Sequence, residues 1–95
     1  MPAFLVVDIE VTDQKRFEEY KRAVPASLSA YGGKYLARGG TTEVLEGDWK
    51  PRRLVIIEFP SVQRAKEWWT SPDYSKAKAL RLGAAQARIV LAEGL

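Results

Sequence analysis

The sequence predicts an α+β fold of element order β-α-β-β-α-β, in which a four-stranded antiparallel sheet carries its helices on one face. Three observations predict it. Apolar residues alternate with period two in segments near both ends and in the middle of the chain, and two intervening segments carry apolar residues at helical spacing instead. The chain, with 95 residues and 10.7 kDa, is long enough for one core and short for two, so residues 1–95 are expected to form a single domain. No repeat, low-complexity tract or linker divides it.

Ala3 to Val11 reads as the first strand. Leu5, Val7, Ile9 and Val11 make one face, and Phe4, Val6, Asp8 and Glu10 the other. Thr12 and Asp13 offer an N-cap to a helix whose apolar stripe is Phe17, Tyr20, Val24, Leu28 and Tyr31, ended by Gly32 and Gly33. Pro25 removes a backbone donor from that helix, which predicts a kink or break near Val24. A second strand, Lys34 to Arg38, runs into Gly39 and Gly40, where a bulge or bend is expected before pairing resumes at Glu43 to Glu46 and the chain turns over Gly47 to Pro51. Arg53 to Phe59 is the strongest strand, mostly apolar on both faces. Pro60 and Ser61 stop it and cap a helix through Trp69, with Val62, Ala65 and either Trp68 or Trp69 inward. At Ser71-Pro72-Asp73 the helix starts afresh, with serine at the N-cap, proline behind it and an acid in the first turn. This last helix carries Tyr74, Ala77, Leu80 and Ala84, with Gly83 near its end, and Gln86 to Glu93 is the final strand.

This order is the split βαβ, or ferredoxin-like, arrangement. The two strands that feed helices are expected as parallel neighbours at the centre, with the far face of the sheet bare. Phe4, Val6, Leu36, Leu54, Ile56 and Val90 belong to the uncovered faces, an apolar patch of the kind that marks an interface. The expected partner is a second copy of the chain, packed sheet against sheet.

Composition excludes whole classes of chemistry. With no cysteine and no histidine, there is no disulfide framework, thiolate nucleophile, Cys/His zinc site, His-ligated haem or histidine base. No Walker loop, Gly-x-Gly-x-x-Gly, Gly-x-Ser-x-Gly elbow or EF-hand loop occurs, so no cofactor and no metal is expected. The net charge of +3 and pI near 9.3 rest on a small basic surplus spread along the chain. Its densest cluster, Lys50, Arg52 and Arg53 around Pro51, reads as a solvated turn. The third strand is aliphatic where an RNA-recognition module of this topology would carry stacking rings, so no nucleic-acid partner is expected. No apolar run approaches the roughly 20 residues of a membrane span, and Met1 to Val7 lacks a basic leader region, so the expected location is the cytoplasm.

The runs Tyr31-Gly-Gly-Lys-Tyr-Leu-Ala-Arg-Gly-Gly40, Leu45-Glu-Gly-Asp-Trp-Lys-Pro-Arg-Arg53, Val55-Ile-Ile-Glu-Phe-Pro-Ser61 and Ser71-Pro-Asp-Tyr74 resemble those of the domain of unknown function 1330 family (DUF1330), across nearly the whole chain. The resemblance implies a dimeric α+β-barrel member of the ferredoxin-like class and no particular reaction. Its wider superfamily includes small monooxygenases that need no cofactor, haem-dependent enzymes and lactone isomerases, and the haem route lacks an axial histidine here.

Two carboxylates and a few polar side chains are left as candidates. Asp8 and Glu58 fall near the helix-proximal ends of the two central strands, which lie about 4.8 Å apart. If adjacent in an apolar enclosure, they would raise one pKa and supply a catalytic acid and base. The competing reading pairs them with Arg38 and Arg88, all four on charged strand faces, as structural ion pairs. Arg38, with the bare amides of Gly39 and Gly40, is a candidate anion-holding group, and Tyr20, Trp68 and Tyr74 are candidate ligand contacts. Trp49, in the turn, is expected to anchor a neighbouring subunit, and nothing decides where Arg81 points. Two functions remain open: a cofactor-independent enzyme acting on a small organic molecule by acid/base or oxygenation chemistry, and a non-catalytic ligand-binding or assembly module.

Overall fold

The alternating and helical apolar patterns resolve into one sheet and one layer of helices. The computed structural model describes residues 1–95. In chain order the elements are β1 (Ala3–Val11), α1 (Gln14–Ala30), β2 (Lys34–Arg38), β3 (Leu54–Phe59), α2 (Val62–Trp69), α3 (Pro72–Arg81) and β4 (Ala85–Glu93). Period-two alternation turns Leu5, Val7 and Ile9 of β1 and Val55, Ile57 and Phe59 of β3 to the helices, where they are buried. They join Phe17, Val24 and Leu28 of α1 and Trp68, Tyr74 and Ala77 of α2 and α3 in one core of 14 buried residues. Each fully buried large side chain contributes roughly 1.5–3 kcal/mol relative to exposure.

The helices begin where the sequence places their caps. The Asp13 carboxylate accepts the Arg16 amide at 3.2 Å, Ser61 Oγ that of Arg64 at 3.1 Å and Ser71 Oγ that of Tyr74 at 3.1 Å. Each such cap is worth about 1 kcal/mol. The expected break at Pro25 is absent, because α1 continues through it to Ala30. Proline at 25 removes the N–H that would bind the Lys21 carbonyl, and Arg38 Nη2 donates to that same carbonyl at 3.0 Å. Burial of Val24, Ser27 and Leu28 on either side of the proline holds the helix to the sheet.

The sheet order is β2-β3-β1-β4 and every neighbouring pair is antiparallel. The expectation of parallel central strands is therefore wrong. The crossover through α1 makes β1 and β2 parallel but leaves a gap between them, and β3, which pairs antiparallel with β2, fills it and must run against β1. Nor does pairing resume at Glu43 to Glu46. Residues 40–53 form a connection with no strand, exposed throughout 40–50, with Leu45 90% exposed. β2 pairs with Val55 to Glu58 of β3 and β1 with all six of its residues, so 43–46 has no place beside β3. The bulge also lies earlier than expected: Tyr35 pairs with Ile57 and Ala37 with the adjacent Ile56, so Leu36 is the inserted residue.

With helices on one side only, the molecule is a slab of 35 × 33 × 16 Å. Across its bare face the register sets out three rows: Ala92, Phe4, Glu58 and Lys34; Val90, Val6, Ile56 and Ala37; and Arg88, Asp8 and Leu54. No helix is long and apolar enough to cross a membrane.

Candidate ligand-binding site

The helix-side strand faces and the helices above them do not close completely. A cavity of about 30 Å³ remains, with room for about two waters, over a floor that includes Val7, Ile9, Val55 and Ile57. The bulge at Leu36 shapes its edge. Tyr35 and Arg38 are three residues apart and in a regular strand would face opposite ways, yet Tyr35 pairs with Ile57 and Arg38 with Val55, both helix-side residues. The inserted residue thus brings a phenol and a guanidinium to the same side, where the guanidinium lies 4.4 Å from the Tyr35 ring centroid.

Aromatic side chains wall the cavity. Trp68 donates its indole N–H to Ser27 Oγ at 3.0 Å, and that hydroxyl donates to the Val24 carbonyl at 2.7 Å, so both buried polar groups are satisfied and the indole is fixed. The Tyr74 ring stacks on it, with centroids 3.9 Å apart. The Tyr74 hydroxyl lies 3.2 Å from that of Tyr20, which reaches in from α1. Burial is the main cause raising the Tyr20 pKa, and nearby Tyr74 adds to it. Burial likewise raises that of Tyr35. Tyr20 and Tyr35 therefore stay protonated at neutral pH and act as hydroxyl donors, not bases.

Charge in the cavity is of one sign. Lys21, Arg38, Arg53 and Arg81 are among its lining residues, and no aspartate or glutamate is. Arg81, on α3, is 5% exposed, with its guanidinium 5.9 Å from the Tyr20 ring centroid. Arg53, just ahead of β3, lies 5.5 Å from the ring of Phe17. The Nε atoms of both are buried and have no hydrogen-bond partner. Gly39 holds Arg53 in place: its φ of +71° suits glycine, and a Cβ there would collide with the guanidinium.

Of the candidates read from the sequence, Tyr20, Trp68, Tyr74 and Arg38 meet at this cavity. Gly39 borders it through Arg53, while Gly40 is exposed with no atom near its missing side chain. Arg38 is not on the charged face assumed for it, because the bulge shifts its parity. Asp8 and Glu58 are not brought together. In antiparallel strands Asp8 pairs with Leu54, four residues from Glu58, which separates the two by roughly 13 Å on the bare face and away from the cavity. Each has other work. Asp8 accepts the Trp49 indole N–H and the Arg52 amide, both at 3.0 Å, and the Trp49 bond above all holds its carboxyl below the ordinary 3.8. Glu58 pairs with Lys34 at 3.1 Å across β3 and β2. Of the expected ion pairing, only the placement of Arg88 opposite Asp8 survives.

Tyr35, a phenol that the sequence offers as a donor to a bound oxygen anion, also lines the cavity, whereas Arg53 and Arg81 were not expected there. Signals for the two arginines were present. Arg53 continues the parity of Val55, Ile57 and Phe59, and Arg81 continues the Tyr74 and Ala77 stripe at helical spacing.

A four-stranded antiparallel sheet in order β2-β3-β1-β4 under three helices, with a small pocket between the layers, defines a ferredoxin-like α+β protein. Within that class the chain belongs to the domain of unknown function family DUF1330, whose model matches residues 2–95, as the resemblance in the sequence implies. No curated protein matches. Among solved structures, a protein of unknown function from Rhodopseudomonas palustris superposes with a TM-score of 0.79 at 22% identity, covering 99% of this chain and 82% of that one. The cofactor-independent oxygenase SnoaB from Streptomyces nogalater gives 0.68 at 12% identity, covering 99% and 93%. A dimeric ferredoxin-like protein of unknown function from Jannaschia sp. gives 0.67 at 11%, covering 99% and 100%. At these identities the likeness is one of fold.

Proposed function

We propose that the chain works as a homodimer, sheet face against sheet face, in which each subunit takes one small organic molecule into the pocket between its sheet and helices. The observation that carries this reading is the convergence of hydroxyl, guanidinium and aromatic groups from α1, β2, α2 and α3 on one unfilled cavity in an otherwise well-packed core. The dimer is supported by the apolar rows on the bare face, where Val90 is 62% exposed, and by the dimeric state of the Jannaschia protein. In this proposal Asp8 and Glu58 belong to the dimer face and not to the chemistry.

Cofactor-independent oxygenation fits the pocket best, and the likeness to SnoaB supports it. A substrate anion gives its electron pair to dioxygen and a C–O bond forms. The proton that the substrate gives up to solvent returns to the peroxide through a tyrosine hydroxyl, which donates one proton and regains another, and loss of water leaves a carbonyl, so that CH₂ and O₂ become C=O and H₂O. With no carboxylate or histidine in the lining, the substrate must supply its own acidic C–H or O–H. That same lack of a base favours a second reading, a non-catalytic ligand-binding module.

A thermal-shift screen of small aromatic and enolisable molecules tests the pocket. Hits should stabilise the wild type and not Ile89→Phe, in which a larger side chain fills the cavity. Hits that stabilise both proteins equally would place binding elsewhere. Oxygen uptake with those hits, lost in Tyr20→Phe, marks an enzyme; binding without uptake marks the module.

A further inference from the structure

We propose that the ligand of this pocket is a small anion: a flat, apolar molecule whose carboxylate or phenolate oxygen sits against the Arg81 guanidinium, with Arg53 and the Tyr20–Tyr74 hydroxyl pair as further donors. This rests on the pocket reading above and adds the chemical class of what the pocket takes. A guanidinium removed from water without a counter-charge is costly, and proteins ordinarily pair such groups. Arg81 is 5% exposed and its Nε has no partner. The three ion pairs of the chain, Lys21 with Glu18, Lys34 with Glu58 and Arg64 with Glu67, leave out both Arg53 and Arg81. Either hydroxyl of the tyrosine pair can donate to the other at 3.2 Å, and the second proton is then free for a ligand. The cavity therefore offers donors from Arg81, Arg53 and a phenol and no carboxylate to accept them, an arrangement that selects an oxygen anion over a neutral or cationic group. Its 30 Å³, room for about two water-sized groups, suits the two oxygens of a carboxylate or the one of a phenolate. The mouth of the cavity, at Lys21, Arg38 and Arg53, opens on a wider polar surface depression that Glu18 and Arg22 also line. The rings of Phe17, Tyr35 and Trp68 suit a flat body.

The test compares benzoate and ionised 4-nitrophenolate with neutral benzamide by titration calorimetry. At least one anion should bind the wild type about tenfold or more tightly than benzamide does. Arg81→Met should abolish the preference and Arg81→Lys keep part of it, and the better anion identifies the head group. Equal binding of benzamide and both anions would overturn the anionic assignment while leaving the pocket reading in place. Failure of all three to bind would overturn both. A second measurement needs no ligand. If the charge of Arg81 is uncompensated in the empty protein, Arg81→Met should raise the melting temperature by several degrees. A fall would show that the guanidinium stabilises the fold by stacking on Tyr20 and would also overturn the proposal.

Discussion

Gly39 and Asp8 show how single residues place groups that act elsewhere. At Gly39 a left-handed backbone and the lack of a side chain together admit the Arg53 guanidinium, whereas the neighbouring Gly40 has open space around it. Gly39→Ala should cost about 1 kcal/mol or more in chemical denaturation and displace Arg53, and Gly40→Ala should cost nothing measurable. Asp8 ties the exposed connection to β1 through Trp49 and Arg52. Its folded pKa lies below the unfolded value, so its contribution is present above pH 3.8 and is lost as pH falls through the lower folded value. The stability difference between wild type and Asp8→Asn should accordingly be constant near neutrality and vanish only in acid below about pH 4. A difference lost between pH 5 and 7 would show a raised pKa instead, and no difference at any pH would show that the carboxylate has no such partners.

Among the elements, α1 and β2 are coupled by a proline and a bulge. Pro25 leaves the Lys21 carbonyl without its helical donor and Arg38, brought to the helix side by the bulge at Leu36, supplies one. Pro25→Ala restores an N–H at that position, which should stabilise the protein by about 1–3 kcal/mol. The cost of Arg38→Ala should then be smaller in the Pro25→Ala background than in the wild type, a coupling that a double-mutant cycle reads directly. Additive effects would remove Arg38 from this role. The elements themselves follow from the sequence because capping and apolar periodicity are local: Asp13, Ser61 and Ser71 start helices where expected. What local pattern does not carry is long-range accounting. Whether residues 43–46 form a strand depends on a free edge of β3, and whether Pro25 breaks a helix depends on an arginine 13 positions later. The pocket aromatics were likewise visible as a stripe, but the parity of Arg38 turned on a bulge at a leucine that nothing in its neighbours marks.

At the scale of the whole molecule, the slab has one face finished by helices and one left apolar. If two copies close over the bare face, the row of Val6, Ile56 and Val90 becomes a buried centre. Ile56→Glu would place unpaired charges there, and sedimentation at micromolar concentration should find this variant monomeric and the wild type dimeric. A monomeric wild type would contradict the dimer. The antiparallel register places Asp8 and Glu58 apart on the bare face, whereas Arg53, Arg81, Tyr20, Tyr35 and Tyr74 line the cavity on the helix side. In the proposed function this helix-side cavity, and not the pair of carboxylates, is the functional site. The most direct test is a crystal structure of the protein with benzoate. Carboxylate oxygens should lie within hydrogen-bond distance of Arg81, between the Tyr20 and Tyr74 hydroxyls and the sheet. Benzoate bound elsewhere, or Arg81 paired with a carboxylate of its own or the neighbouring subunit, would contradict this assignment.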